Sequence, residues 1–175
     1  MTQQDPIAKR IEKSVEAFFA NDYETCLLQL FPAVDNTSKA RRPKKKVGER
    51  IKSFLDDQQD IITYIALRIA FKGGIMIDDQ TLSDAIYHIT RTSIVHEGQL
   101  DPRLKFVEEG ELRASKDLWI LPKNYIFGMI IAVITAKENK QSSLPEDWKI
   151  EMFGKEFTLN NIWGEEDKFR QEFLP

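Results

Sequence analysis

From Tyr125 to Ala136 the chain carries no charged residue, and Pro122 and Lys137 bracket the run. A span across a bilayer needs about 20 apolar residues, so this segment is too short for one and reads instead as a buried core helix. Pro122 suits the first turn of such a helix, which is expected to run to about Lys140 with Ile126, Ile130, Val133 and Ile134 inward.

Upstream, helical periodicity dominates. Asp5-Pro6 is an N-cap followed by proline, and Ile7, Ile11, Val15 and Phe18 or Phe19 line one face of a first helix. Asn21-Asp22 breaks and restarts the chain. A second helix carries Tyr23, Leu27, Leu30, Phe31 and Val34 toward the core, with Pro32 inside it. A third helical region begins at Val47 with Ile51, Phe54 and Leu55 and continues through Ile61, Ile62, Ile65 and Ile69. It is one long helix or two with a joint between Asp56 and Asp60, and Gly73-Gly74 ends it. Leu104 to Val107 and Leu118 to Leu121 read as short strands. After a polar linker from Gln141 to Pro145, Trp148 to Met152 alternates in the strand manner. Gly154-Lys155 turns it, Glu156 to Asn160 returns, and Glu165 to Phe173 closes the chain as a helix.

The stretch from Thr81 to Leu100 organises the chemistry. Leu82, Ala85, Ile86 and Ile89 define a buried helical face. Asp78, Asp79 or Thr81 caps the start, with Asp84 at near capping-box spacing from Thr81, and Gly98 stops the end. Near that end stand Arg91 and His96, which an ideal helix places on different sides.

Arg91-Thr92-Ser93-Ile94-Val95-His96, with Tyr87 four residues before and Gly98 two after, resembles the R-x4-H signature of the HEPN superfamily, in its Apea-like and abortive-infection-like branches. The resemblance covers roughly residues 5 to 140 and includes the second helix. It implies an all-helical domain that pairs about a two-fold axis, with both helix ends lining one cleft. It also implies metal-independent RNA cleavage, as in toxins and phage-defence proteins. In that chemistry His96 takes or gives the proton of the 2′-hydroxyl, because imidazole changes charge near neutral pH. Arg91 holds the phosphate with a planar fork that stays charged. Thr92 departs from the pattern, since many active members carry asparagine, aspartate or histidine after the arginine. The alternative is therefore a non-catalytic module of the same kind, binding RNA, nucleotide or a partner protein such as an antitoxin. In it His96 would bond to helix-terminal carbonyls, and Arg91 would pair with Asp84 or Glu97.

Charge singles out a second candidate. Lys39, Arg41, Arg42, Lys44, Lys45, Lys46, Arg50 and Lys52 stand against one acidic residue, Glu49, within residues 39–52, while the whole chain carries −3. Arg41, Arg42, Lys44, Lys45 and Lys46 are the candidate RNA contacts, with a solvated helix connection as the other reading.

The two histidines and the single cysteine are too far apart in sequence for zinc spacing, Asp78-Asp79 lacks the rest of a calcium loop, and no cofactor motif is present. Cys26, alone, cannot form an internal disulfide and fits a reducing compartment. With a polar N-terminus and no span, a cytoplasmic location away from membranes is expected. The expected architecture is mainly α: an up-and-down bundle of four to five helices with small β-hairpin insertions, forming a homodimer. Residues 1–141 would be the helical domain and 142–175 a hairpin-and-helix elaboration of it.

Overall fold

The computed structural model of the chain describes residues 5–88, 99–115 and 118–175, and the fold is mainly α. Helix α1 (Pro6–Phe19) starts where Asp5 Oδ1 accepts a hydrogen bond from the Ile7 amide at 3.2 Å. Ile11, Val15 and Phe18 face inward, whereas Phe19 is 53% exposed. Asn21, at φ 58°, makes the break, and Asp22 caps α2 (Tyr23–Arg41) through the Thr25 amide. The third helical region is two helices, α3 (Val47–Asp57) and α4 (Gln59–Leu67), meeting at the buried Gln58.

Helix α4 does not run on to Gly73-Gly74. It stops at Arg68, which takes the left-handed conformation at φ 62° and donates its amide to the Tyr64 carbonyl. A left-handed backbone costs a non-glycine residue roughly 1–2 kcal/mol. The Arg68 guanidinium lies 4.0 Å over the Phe153 ring, a contact that returns only about 0.5–1 kcal/mol at an exposed site. Ile69, expected within this helical region, therefore lies beyond its end and is 52% exposed.

A short hairpin follows, β1 (Met76–Ile77) and β2 (Gln80–Thr81), turned by Asp78 and Asp79 at positive φ. This turn uses both aspartates, which leaves Thr81 as the cap of α5 (Leu82–Ala85). Residues 104–107 and 118–122 do form strands, β3 (Leu104–Val107) and β5 (Leu118–Pro122), but they pair in parallel, Leu104 opposite Trp119. A strand the sequence hides, β4 (Arg113–Ser115), pairs antiparallel with β5 on its other edge.

Helix α6 (Asn124–Thr135) is buried from Tyr125 onward. It ends at Thr135, short of Lys140, because Ala136 turns extended and the buried Asn139 folds back. Asn139 Nδ2 donates to the Val133 carbonyl at 2.7 Å and to Thr37 Oγ1 at 2.9 Å. The hairpin β6 (Lys149–Met152) and β7 (Lys155–Thr158) turns through Phe153 and Gly154, both at positive φ, and α7 (Glu166–Phe173) closes the chain. One continuous apolar core joins α1 to α4, α5 and α6 with Ile150, Leu159 and Phe169 of the C-terminal segment. Among the described residues no helix is long and apolar enough to cross a membrane.

Candidate functional site

Thr81 caps α5, the described part of the stretch that precedes the motif. Its Oγ1 accepts the Asp84 amide at 3.1 Å, and its hydroxyl reaches Asp84 Oδ2 at 2.8 Å. Asp84 Oδ1 lies 2.7 Å from Lys52 Nζ, so α3 and α5 are pinned together at their polar edge. Burial alone would raise the Asp84 carboxyl, but the Lys52 and Thr81 hydrogen bonds outweigh it and hold the group below the usual range. Neighbouring Asp56 is pushed the other way by burial, and its Oδ1 is sealed without a hydrogen-bond partner. Tyr87 packs its ring and hydroxyl against Gly48 in the first turn of α3. Arg91 and His96, with Thr92 and Gly98, lie outside the described residues. His88, edge-on to Tyr87, is exposed.

The basic run sorts into two populations. Arg41, its side chain 11% exposed, forms a bidentate pair with Glu138 (both contacts 2.8 Å) and reaches Glu166 at 2.6 Å and Asp57 at 3.2 Å. Burial works against its charge, but Glu138 and Glu166 outweigh that and raise its pKa further. Arg42 Nη2 donates to Asp57 at 2.9 Å, Arg50 pairs with Asp35 at 2.6 Å, and Lys52 is held by Asp84. Of the five candidate RNA contacts, Arg41 and Arg42 are thus spent on carboxylates of the same chain. Lys44, Lys45 and Lys46, together with Lys39, stand exposed, and among the described residues none of the four meets a carboxylate.

The carboxylates continue into a network that locks α7 down. Arg170 donates to Asp60 Oδ2 at 2.8 Å, to Glu166 at 2.7 Å and to the Asp57 carbonyl at 3.0 Å. Glu166 sits between the two arginines. Burial raises its pKa, but Arg170 and Arg41 together bring it below the ordinary value. Such paired charges hold elements in register, and nothing in their arrangement offers an open position for a substrate. Among the described residues no cluster of His, Cys, Asp or Glu is arranged to hold a metal ion.

A family model named Rv1289 matches residues 6–174. The chain belongs to the Rv1289 family. Three mycobacterial relatives each share 25% identity with it over 183 residues, covering 94% of this chain and 86% of their own. They are the uncharacterised proteins Mb1320 of Mycobacterium bovis, MT1327 of Mycobacterium tuberculosis CDC 1551 and Rv1289 of Mycobacterium tuberculosis H37Rv. No solved structure matches. In this Rv1289-family chain the residues that sequence reasoning missed are Glu138 and Glu166, which hold Arg41, and Asp60 and Arg170, which extend the same network. Only the i,i+4 spacing of Glu166 and Arg170 on the terminal helix hints at them. Their matches to α2 and α4 are separated by up to 125 residues and leave no local trace.

Proposed function

We propose that this Rv1289-family protein is a non-catalytic RNA-binding module that grips the phosphate backbone through the α2–α3 connection. One observation carries the reading. The arginines of the basic run and Lys52 are neutralised by carboxylates, while Lys39, Lys44, Lys45 and Lys46 project from one short stretch without a carboxylate partner among the described residues. Lysines left this way are point charges suited to phosphates and carry no base readout, so binding is sequence-tolerant and salt-sensitive. The proposal includes a cytoplasmic setting, an up-and-down arrangement of the helices and a homodimer, which the HEPN resemblance implies.

A second reading, the metal-independent endoribonuclease, is favoured by the motif alone. Arg91 and His96 follow a helix start that Thr81 caps as the sequence requires. One experiment separates the two. The full chain is titrated with single-stranded RNA in EDTA across a salt series, beside the Lys44→Glu, Lys45→Glu, Lys46→Glu triple variant and His96→Ala. Binding without cleavage, with the salt slope falling by about 2 in the triple variant at roughly 0.7 per phosphate contact, supports the module. Cleavage abolished in His96→Ala at unchanged Tm supports the nuclease. An unchanged slope in the triple variant overturns the proposal.

A further inference from the structure

The ends of α1 and α4 and the β6–β7 hairpin enclose a groove of about 540 Å³, within the usual range for small-molecule sites. Phe18, Phe19 and Phe127 form its aromatic wall. Phe127 lies 5.2 Å from Phe18 and 6.2 Å from Phe19, and Phe19 is stacked at 6.1 Å on Trp148. Phe19 nevertheless keeps 53% of its surface in solvent. Arg68 also lines the groove, on the face of Phe153.

Two local rules are broken at this one place. Arg68 stands where a helix ends in the left-handed conformation, a position glycine takes without penalty. Phe153 occupies the first left-handed position of a two-residue hairpin turn, at φ 59°, where asparagine or glycine is the ordinary choice. The contact between the two side chains does not repay both distortions. Strained positions that converge on a groove mark a function hypothesis. The charge pattern agrees. Arg10, Arg41, Arg42, Arg50, Arg103 and Arg170 each hydrogen-bond to a side-chain oxygen. The side chain of Arg68 donates to none among the described residues, and its fork is left with all its N–H groups. At the hairpin rim Lys149 lies 3.5 Å from Glu156, so among the described residues Arg68 is the lining cation that no carboxylate holds.

We propose that this groove binds a flat aromatic molecule carrying an acid group, its ring against Phe19 and Phe127 and its acid on the guanidinium of Arg68. Arginine can keep one face on Phe153 while its edge donates a bidentate pair to a carboxylate or phosphate, which is why lysine is no substitute here. The site is independent of the lysines proposed for RNA.

The test uses the full chain, with adenosine monophosphate, adenosine, 2-naphthoate and inorganic phosphate titrated by calorimetry to about 5 mM, above the weakest Kd of interest at roughly 1 mM. The acid-bearing aromatics are expected to bind, adenosine roughly tenfold or more weakly, and phosphate alone not at all, since one charged hydrogen-bonded pair is worth at least that factor. Binding of only one of the two acids supports the site and identifies the source of the acid. Arg68→Gly removes the side chain at a backbone position glycine favours, so folding is kept. It should lose the preference for the acid-bearing ligands, which Arg68→Lys restores only in part. Failure of both acids to bind, or equal affinity in Arg68→Gly, overturns the assignment.

Discussion

Gly128 offers the sharpest test of how the core is assembled. It sits in α6 against α4, and a Cβ built there would lie 2.7 Å from the Ile62 carbonyl oxygen and 2.9 Å from Ile62 Cα. Ordinary Cβ contacts begin at 3.4 Å, and both obstacles are backbone, so Gly128→Ala must drive the helices apart by about 0.7 Å. Overpacking of this kind costs typically about 1–3 kcal/mol. Replacing glycine by alanine inside a helix returns at most about 1 kcal/mol. The packing cost wins, and net destabilisation of up to about 2 kcal/mol should lower Tm by up to roughly 8 °C for a chain of this length. Gly48→Ala is the internal control. There the atoms nearest the new Cβ are the Tyr87 ring and hydroxyl, at 3.1 Å and beyond, and a side chain can move aside. Its effect should stay within about 0.5 kcal/mol. Thermal melts by circular dichroism read both. A Tm for Gly128→Ala at or above wild type, or an equal fall in both variants, would refute the close α4–α6 contact as the reason for the glycine.

Arg41→Met should cost about 3 kcal/mol in urea unfolding, because it leaves Glu138 and Glu166 facing each other without their shared cation in a largely buried site. Acid should act on the same network. The folded carboxyl of Glu166 titrates below its unfolded value, so the unfolded chain binds the proton first as pH falls. Its contribution is complete above the ordinary carboxylate range and is lost as pH drops through the folded pKa, which urea midpoints at neutral and acidic pH will show. Cys26 is buried, and burial, only partly offset by the Ser14 hydroxyl, pushes its thiol up to about 11. It should resist thiol reagents in the native protein and react once the chain is unfolded.

The elements that were legible in the sequence are those set by neighbours within one turn. Asp5 announces its helix, Asn21-Asp22 marks the next break, and Thr81 is one of three candidates for the cap of α5, because a cap is a contact across two or three residues. The strands of the second hairpin follow from alternation and one glycine, but its turn is Phe153-Gly154 and not the expected Gly154-Lys155, because Lys155 pairs with Met152. By contrast, the parallel pairing of β3 with β5 is invisible locally, since nothing in Leu104 to Val107 specifies which strand lies beside it. Strand β4, three residues with one apolar side chain, is too short to show a period. The basic run was misleading for a related reason. Charge counted along the chain gives eight cations against one anion, but charge counted in space pairs Arg41 with carboxylates 97 and 125 residues away.

Arg68 shows the same limit at the groove. Arginine is a good helix former, and Ile61, Ile62, Ile65 and Ile69 keep a helical period straight through it, so every local signal says that α4 continues. At the point where the helix ends, the Arg68 guanidinium lies on the Phe153 ring, 85 residues onward, a contact that no local signal announces. The turn also releases Ile69 and Phe71 to the surface and leaves them 52% and 40% exposed. A chain selected for stability alone would place glycine at 68 and bury Ile69 elsewhere or replace it. That Arg68 and Phe153 hold their conformations at such a cost is what separates the groove from an accidental crease. It also makes Arg68→Gly informative in two directions at once, since the variant should fold at least as well as the parent and bind worse.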